Sequence, residues 1–153
     1  MMLGKTHLVF ALFLSLFIIS KFNVVQPLLF ILILVFSSFI PDIDYSKSKA
    51  GKKIWPFSLI IQLIAKHRGV FHSLFIPALI WLLSYLLNLN TLGIAFFIGY
   101  SSHLFLDAFT HQGVRPLYPI KLEIKGSIHS GGLFDSFMFF FFLVMSIILL
   151  VRL

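Results

Sequence analysis

Apolar and polar positions sort the chain into five long greasy runs separated by short polar stretches. The runs cover roughly Leu8 to Ser20, Val24 to Ile40, Val70 to Leu89, Thr91 to Phe109 and Leu133 to Val151. The last three have the length of a membrane-spanning helix, about 20 residues. The first two are shorter and predict a helical hairpin closed by Lys21–Gln26, with Pro27 near the start of its second helix, where proline is at home. A sixth stretch, 54–65 (IWPFSLIIQLIA), is too short to span. It predicts an interfacial or re-entrant helix, because Trp and Pro at its start suit the headgroup region. Lys5 and the apolar run after it resemble a secretory signal. No small-residue cleavage site follows in FIISKFNVVQP, so the first segment is expected to be retained. The expected fold is an all-α integral membrane protein, a bundle of about five transmembrane helices plus a short interfacial helix, forming one membrane-embedded domain over residues 1–153.

Composition agrees with the pattern. The chain is 59% hydrophobic and 11% charged, with twenty Phe and a mean hydropathy of +1.04. A soluble domain of this length keeps too much surface in water to hide so many apolar side chains. Cys is absent, which excludes disulfides and thiolate metal sites. The net charge of +7 could point to nucleic acid. In a membrane protein, however, basic residues mark the cytoplasmic side, so the expected partner is the lipid bilayer and no nucleic acid is expected.

Orientation follows from those cations. With the N-terminus cytoplasmic, Lys5, the 45–69 loop (Lys47, Lys49, Lys52, Lys53, Lys66, Arg68) and the 110–132 loop (Arg115, Lys121, Lys125) lie inside, and Lys21 and Arg152 lie outside. Ten against two is a strong positive-inside signal. The same topology gathers the chemistry. Asp42 and Asp44 end the second run, His7 starts the first, His67 and His72 flank the third, His103 and Asp107 close the fourth, His111 follows, and Asp135 opens the fifth. All of these fall on the cytoplasmic side, and the outer half of the bundle is left almost without ionisable residues.

Within SHLFLDAFTH, His103, Asp107 and His111 recur at i, i+4 spacing and would share one helical face. Two imidazoles and a carboxylate on one face suit a divalent cation; a hydrogen-bonded polar stripe is the plainer alternative, but ionisable groups within a span usually serve function. In KHRGVFHS, His67 and His72 stand too far apart for one clean helical face, and a break at Gly69 would be needed to turn both inward. Arg68 carries a planar fork suited to phosphate or carboxylate, or simply anchors the cytoplasmic side. PDID sets Asp42 and Asp44 at alternate positions of a turn-like backbone, because Pro41 ends the preceding helix. Carboxylates at a helix C-terminus oppose its dipole, which argues for a bound cation there. Asp135 near a helix N-terminus is favourable for the dipole alone, and His129 reads as an exposed loop histidine.

KTHLVFA, FIPDIDYSKSKAGKK, HRGVFHSLF and GYSSHLFLDAFTHQGVRPLYPIK, taken in order, resemble the successive signatures of the YdjM-like family of inner-membrane-associated, metal-dependent hydrolases. The resemblance implies metal-site roles for His7, Asp42, Asp44, His67, His72, His103 and Asp107, with Thr110 and Gly113 in the motif's tail. It departs at Phe71, where members commonly have Thr, and at His111, where Pro is common, so His111 is either an extra ligand or a bystander. An acid near the start of the last helix is usual in the family, and Asp135 occupies that place. By analogy of segmentation, the family is similar to zinc-dependent, phospholipase C-like helical enzymes.

The expected function is a membrane-bound, metal-dependent hydrolase of a phosphoester or lipid-like substrate at the cytoplasmic face. Zinc is the expected cofactor, with manganese or iron as alternatives. Asp44 or Asp107 would act as base, and Arg68 would favour an anionic substrate. Two rivals remain: a divalent-metal or proton transporter, and a scaffold or regulatory protein whose metal only staples short helices.

Overall fold

The computed structural model describes residues 2–44 and 70–153. Among them five α-helices form and no strand does. Helix α1 is Gly4–Lys21, α2 Pro27–Ser37, α3 Phe75–Leu86, α4 Asn90–Ala108 and α5 Leu133–Arg152. Short 3-10 turns at Ile40–Asp44 and Val70–His72 follow α2 and precede α3.

The helix ends obey local chemistry. Pro27 opens α2, where its missing N–H leaves no bond unmade. Pro77 sits in the first turn of α3 for the same reason. Asp135 in the first turn of α5 and Arg152 in its last both complement the helix dipole.

Among the described residues, only α1 and α5 are long and apolar enough to cross a membrane. The Val70–Leu89 run, expected at spanning length, yields a 12-residue α3 because Val70–His72 is spent on a 3-10 turn. Helix α4 has 19 residues, but Ser101, Ser102, His103 and Asp107 dilute its apolar character. The stretch 54–65, expected as an interfacial helix, lies outside the described residues.

Helix α4 is the hub: α2 and α3 both pack on it, and α1 lies between α2 and α5. One apolar cluster joins Val9, Phe10, Leu106 and Phe142, with the Phe10 and Phe142 rings 4.7 Å apart. A second joins Ala11, Phe30, Leu34 and Ala95, and a third Tyr100, Leu104 and Val114. The α2–α4 contact requires Gly99, since a Cβ there would stand 2.0 Å from the Leu34 carbonyl oxygen and 2.1 Å from Ser37 Oγ. Past α4 the chain turns through Gly113 at φ +64°, a left-handed conformation that favours glycine.

Beside these apolar clusters the interior also holds ionisable side chains, and the surface is strongly apolar. Thr6, His7, His72, His103, Asp107 and Asp135 are buried, while Phe75, Trp81, Leu83, Phe137 and Phe140 are exposed. An apolar exterior around a core that buries its ionisable groups is the arrangement a bilayer selects.

Candidate metal centre

Four segments contribute five side chains to one buried polar cluster. His7 comes from the first turn of α1, Asp42 from the 3-10 turn after α2, His72 from the 3-10 turn before α3, and His103 and Asp107 from the last turns of α4. The ligand atoms of His7, His103 and Asp107 lie within 4.8 Å of one another, and so do those of Asp42, His72 and His103.

His103 is the shared vertex. Its Nδ1–H donates to the Ser38 carbonyl oxygen at 2.8 Å, which fixes the tautomer and turns the Nε2 lone pair toward the cluster. Nε2 stands 3.6 Å from Asp107 Oδ2 and 3.8 Å from Asp42 Oδ1. His7 Nε2 stands 3.4 Å from Asp107 Oδ1, and the His7 and His103 rings stack at 3.9 Å between centroids. These separations are long for hydrogen bonds. They approach the spacing of about 3.3 Å between donors around a tetrahedral ion with bonds near 2.0–2.1 Å. With Nδ1 already engaged, His103 has one nitrogen to offer, so the two trios describe one site rather than two.

The donor set fits a divalent cation. Both nitrogens of His7, Nε2 of His103 and Oδ2 of Asp107 are buried without a hydrogen-bond partner among the described residues. Unsatisfied buried polar atoms are costly, and convergent ones signal a ligand. Nitrogen and carboxylate donors without sulfur suit zinc, manganese or iron.

Backbone and hydroxyl groups hold the cluster in place. Asp107 Oδ1 accepts the Met2 amide N–H at 2.9 Å, which pins that carboxylate from the N-terminal side. Tyr100, fully buried, donates its hydroxyl to the Phe71 carbonyl and ties α4 to the turn carrying His72. Neither Ser38 nor Met2 carries a sequence signal, since both act through the backbone. Thr6 and Tyr100 stand inside the motif stretches KTHLVFA and GYSSHLFLDAFTHQGVRPLYPIK, where a lone hydroxyl gives no sign of its partner.

Two expected ligands are placed elsewhere. Helix α4 ends at Ala108, and Thr110 donates its hydroxyl to the Asp107 carbonyl at 2.8 Å, so the chain turns before residue 111 can join the His103–Asp107 face. His111 is instead exposed and packs edge-on against the exposed His129, with ring centroids 4.2 Å apart. Asp135 is buried, but its carboxylate is taken up by protein donors: the Leu3 amide at 3.0 Å, the Gly131 amide at 2.8 Å and the Thr6 hydroxyl. His67 and Arg68 lie outside the described residues, and of Asp44 the structure gives its place at the end of the Ile40–Asp44 turn.

The family model of the YdjM inner membrane protein matches residues 2–152, nearly the whole chain. The uncharacterized protein YvsG of Bacillus subtilis (strain 168) is 32% identical over 87 residues, 56% of this chain and 54% of that protein. The match thus spans about half the length of that relative. No solved structure matches the chain significantly.

Proposed function

The chain belongs to the YdjM inner membrane protein family, and we propose that it is a membrane-embedded, metal-dependent hydrolase of a phosphoester, amphiphilic rather than fully soluble. The observation that carries this reading is His103 Nε2, a buried lone pair with Asp107 on one side and Asp42 on the other. His7, His103 and Asp107 form the core of the ligand set, and Asp42 and His72 complete it. A divalent cation held there, zinc first with manganese or iron as alternatives, supplies Lewis acidity and eases the ionisation of water. Asp107 is fixed by Met2 and by its histidine neighbours, so it serves as a ligand. The proton acceptor is then Asp44, two residues past Asp42, and Arg68 is the proposed contact for the substrate's anionic group.

In this reading five helices cross the membrane with the N-terminus cytoplasmic. Asp135 at the start of α5 bonds Leu3 and Thr6 at the start of α1, so both helices begin at one end. An even number of crossings must separate two such starts, and crossings by α1 to α4 would meet that condition. Transport of metal or protons would need a polar path through the bilayer. The buried ionisable residues described here sit together where α1 and α5 begin, and Lys21 and Arg152 at the opposite helix ends offer no continuation.

The test compares metal-loaded wild type with His103→Ala in liposomes against phosphoester lipids. Turnover by the wild type that is lost in the variant supports the hydrolase. No turnover with any lipid, together with metal flux across the liposome, hands the site to a transporter.

A further inference from the structure

The loop between α4 and α5 is closed by a pair of reciprocal bonds. Val114 N–H donates to the Ile124 carbonyl and Ile124 N–H to the Val114 carbonyl, each at 2.9 Å. The loop so closed exposes large apolar side chains: Ile120 is 62% exposed and Leu122 48%, with Leu117 and Ile124 close behind. Cations alternate with them. Lys121 and Lys125 interleave with Ile120, Leu122 and Ile124, Arg115 stands at the loop's start, and Glu123 is the single acid, 3.2 Å from Lys125 and 3.6 Å from Arg115. In extended chain this alternation sets apolar groups on one side and charged groups on the other.

The loop's place in the fold supplies the rest. Helix α5, a candidate span, begins at Leu133, so the loop lies at a membrane surface. Its Pro116 carbonyl accepts the Leu74 amide at 2.8 Å, next to the turn that carries His72. An apolar side chain exposed to water at that height gains nothing, whereas one inserted at the acyl boundary beside cations does.

We infer that the Arg115–Lys125 loop is a docking element for anionic phospholipid headgroups, with Ile120 and Leu122 entering the acyl boundary and Lys121, Lys125 and Arg115 holding headgroup phosphates. The inference rests on membership of a membrane family and is independent of the hydrolase reading, because it concerns lipid binding and not turnover.

The test uses the full chain with Trp55→Phe and Trp81→Phe as background and Ile120→Trp as reporter. The protein is reconstituted in phosphatidylcholine vesicles with or without phosphatidylglycerol. Expected are quenching by brominated acyl chains, stronger quenching with phosphatidylglycerol, and loss of that increment in high salt or in Lys121→Glu/Lys125→Glu. Unchanged helical circular dichroism in detergent shows that the charge reversal leaves the fold intact. A reporter insensitive to brominated lipid overturns the inference, and so does quenching indifferent to phosphatidylglycerol and charge reversal. Emission that shifts with protein concentration in lipid-free detergent would instead assign the surface to a second copy of the chain.

Discussion

Thr6 on the first helix donates its hydroxyl to Asp135 on the last, and the Leu3 amide bonds the other oxygen of the same carboxylate. Lys5 adds a cation–π contact to the Phe139 ring at 4.8 Å. The first turn of α1, which carries His7, is therefore set by α5. Asp135→Ala should lower stability by about 1–3 kcal/mol by leaving buried donors unmatched. It should also weaken metal binding through the turn that carries His7. Asp135→Asn keeps two acceptor sites and should lose less. Thermal unfolding in detergent and metal content of the purified variants check both statements.

Metal content separates the buried cluster from the surface histidines. Wild-type protein should purify with at least one zinc, manganese or iron ion per chain, while Asp107→Ala and His103→Ala should be depleted. His111→Ala and His129→Ala should keep the wild-type content, since their rings pack on each other at the surface. Elemental analysis decides, and equal content in all five proteins removes Asp107 and His103 from the site.

Gly99→Ala tests how α2 approaches α4. Its Cβ would overlap the Leu34 carbonyl and Ser37, so the helices must part. A loss of about 1–3 kcal/mol is expected from overpacking. Ser38, one residue past α2, would withdraw its carbonyl from His103, and weaker metal affinity should accompany the lower midpoint.

The chain lacks Cys, so single cysteines report topology directly. Introduced at Ser48 and Ser127 they should be shielded from an impermeant reagent added outside cells, and at Asn23 or Asn90 they should react. Outside labelling of both loop positions would reverse the proposed orientation.

Asp44→Asn should abolish turnover of a phosphoester lipid, by a factor on the order of 10² or more, while insertion and metal content persist. Unchanged turnover would clear Asp44 of proton transfer.

Helix existence was legible because long apolar runs leave little alternative in a bilayer, and the run at 133–151 became α5 almost residue for residue. The i, i+4 spacing of His103 and Asp107 likewise placed both in the cluster's last two turns of helix. Spacing failed at His111, because it says nothing about where a helix stops; that was decided by Thr110 folding back onto the Asp107 carbonyl. Asp135 was legible as a significant acid but not in its task. Its partners are two backbone amides and a hydroxyl, two of the three over a hundred positions away in the chain. The carbonyl that orients His103 left no trace at all, since any residue at position 38 would supply one.

The bond between Thr6 and Asp135 also sets an order of assembly. Residues 3–6 are made well before their partner at 135, so α1 must wait through the synthesis of α2, α3 and α4. Until residue 135 leaves the ribosome, the turn bearing His7 is held by α4, through the Met2 amide on Asp107 and the stack of His7 on His103. A chain released before α5 would carry all five side chains of the buried cluster and still lack one of the two holds on the first of them. Helix α5, through Asp135, adds the second of those holds.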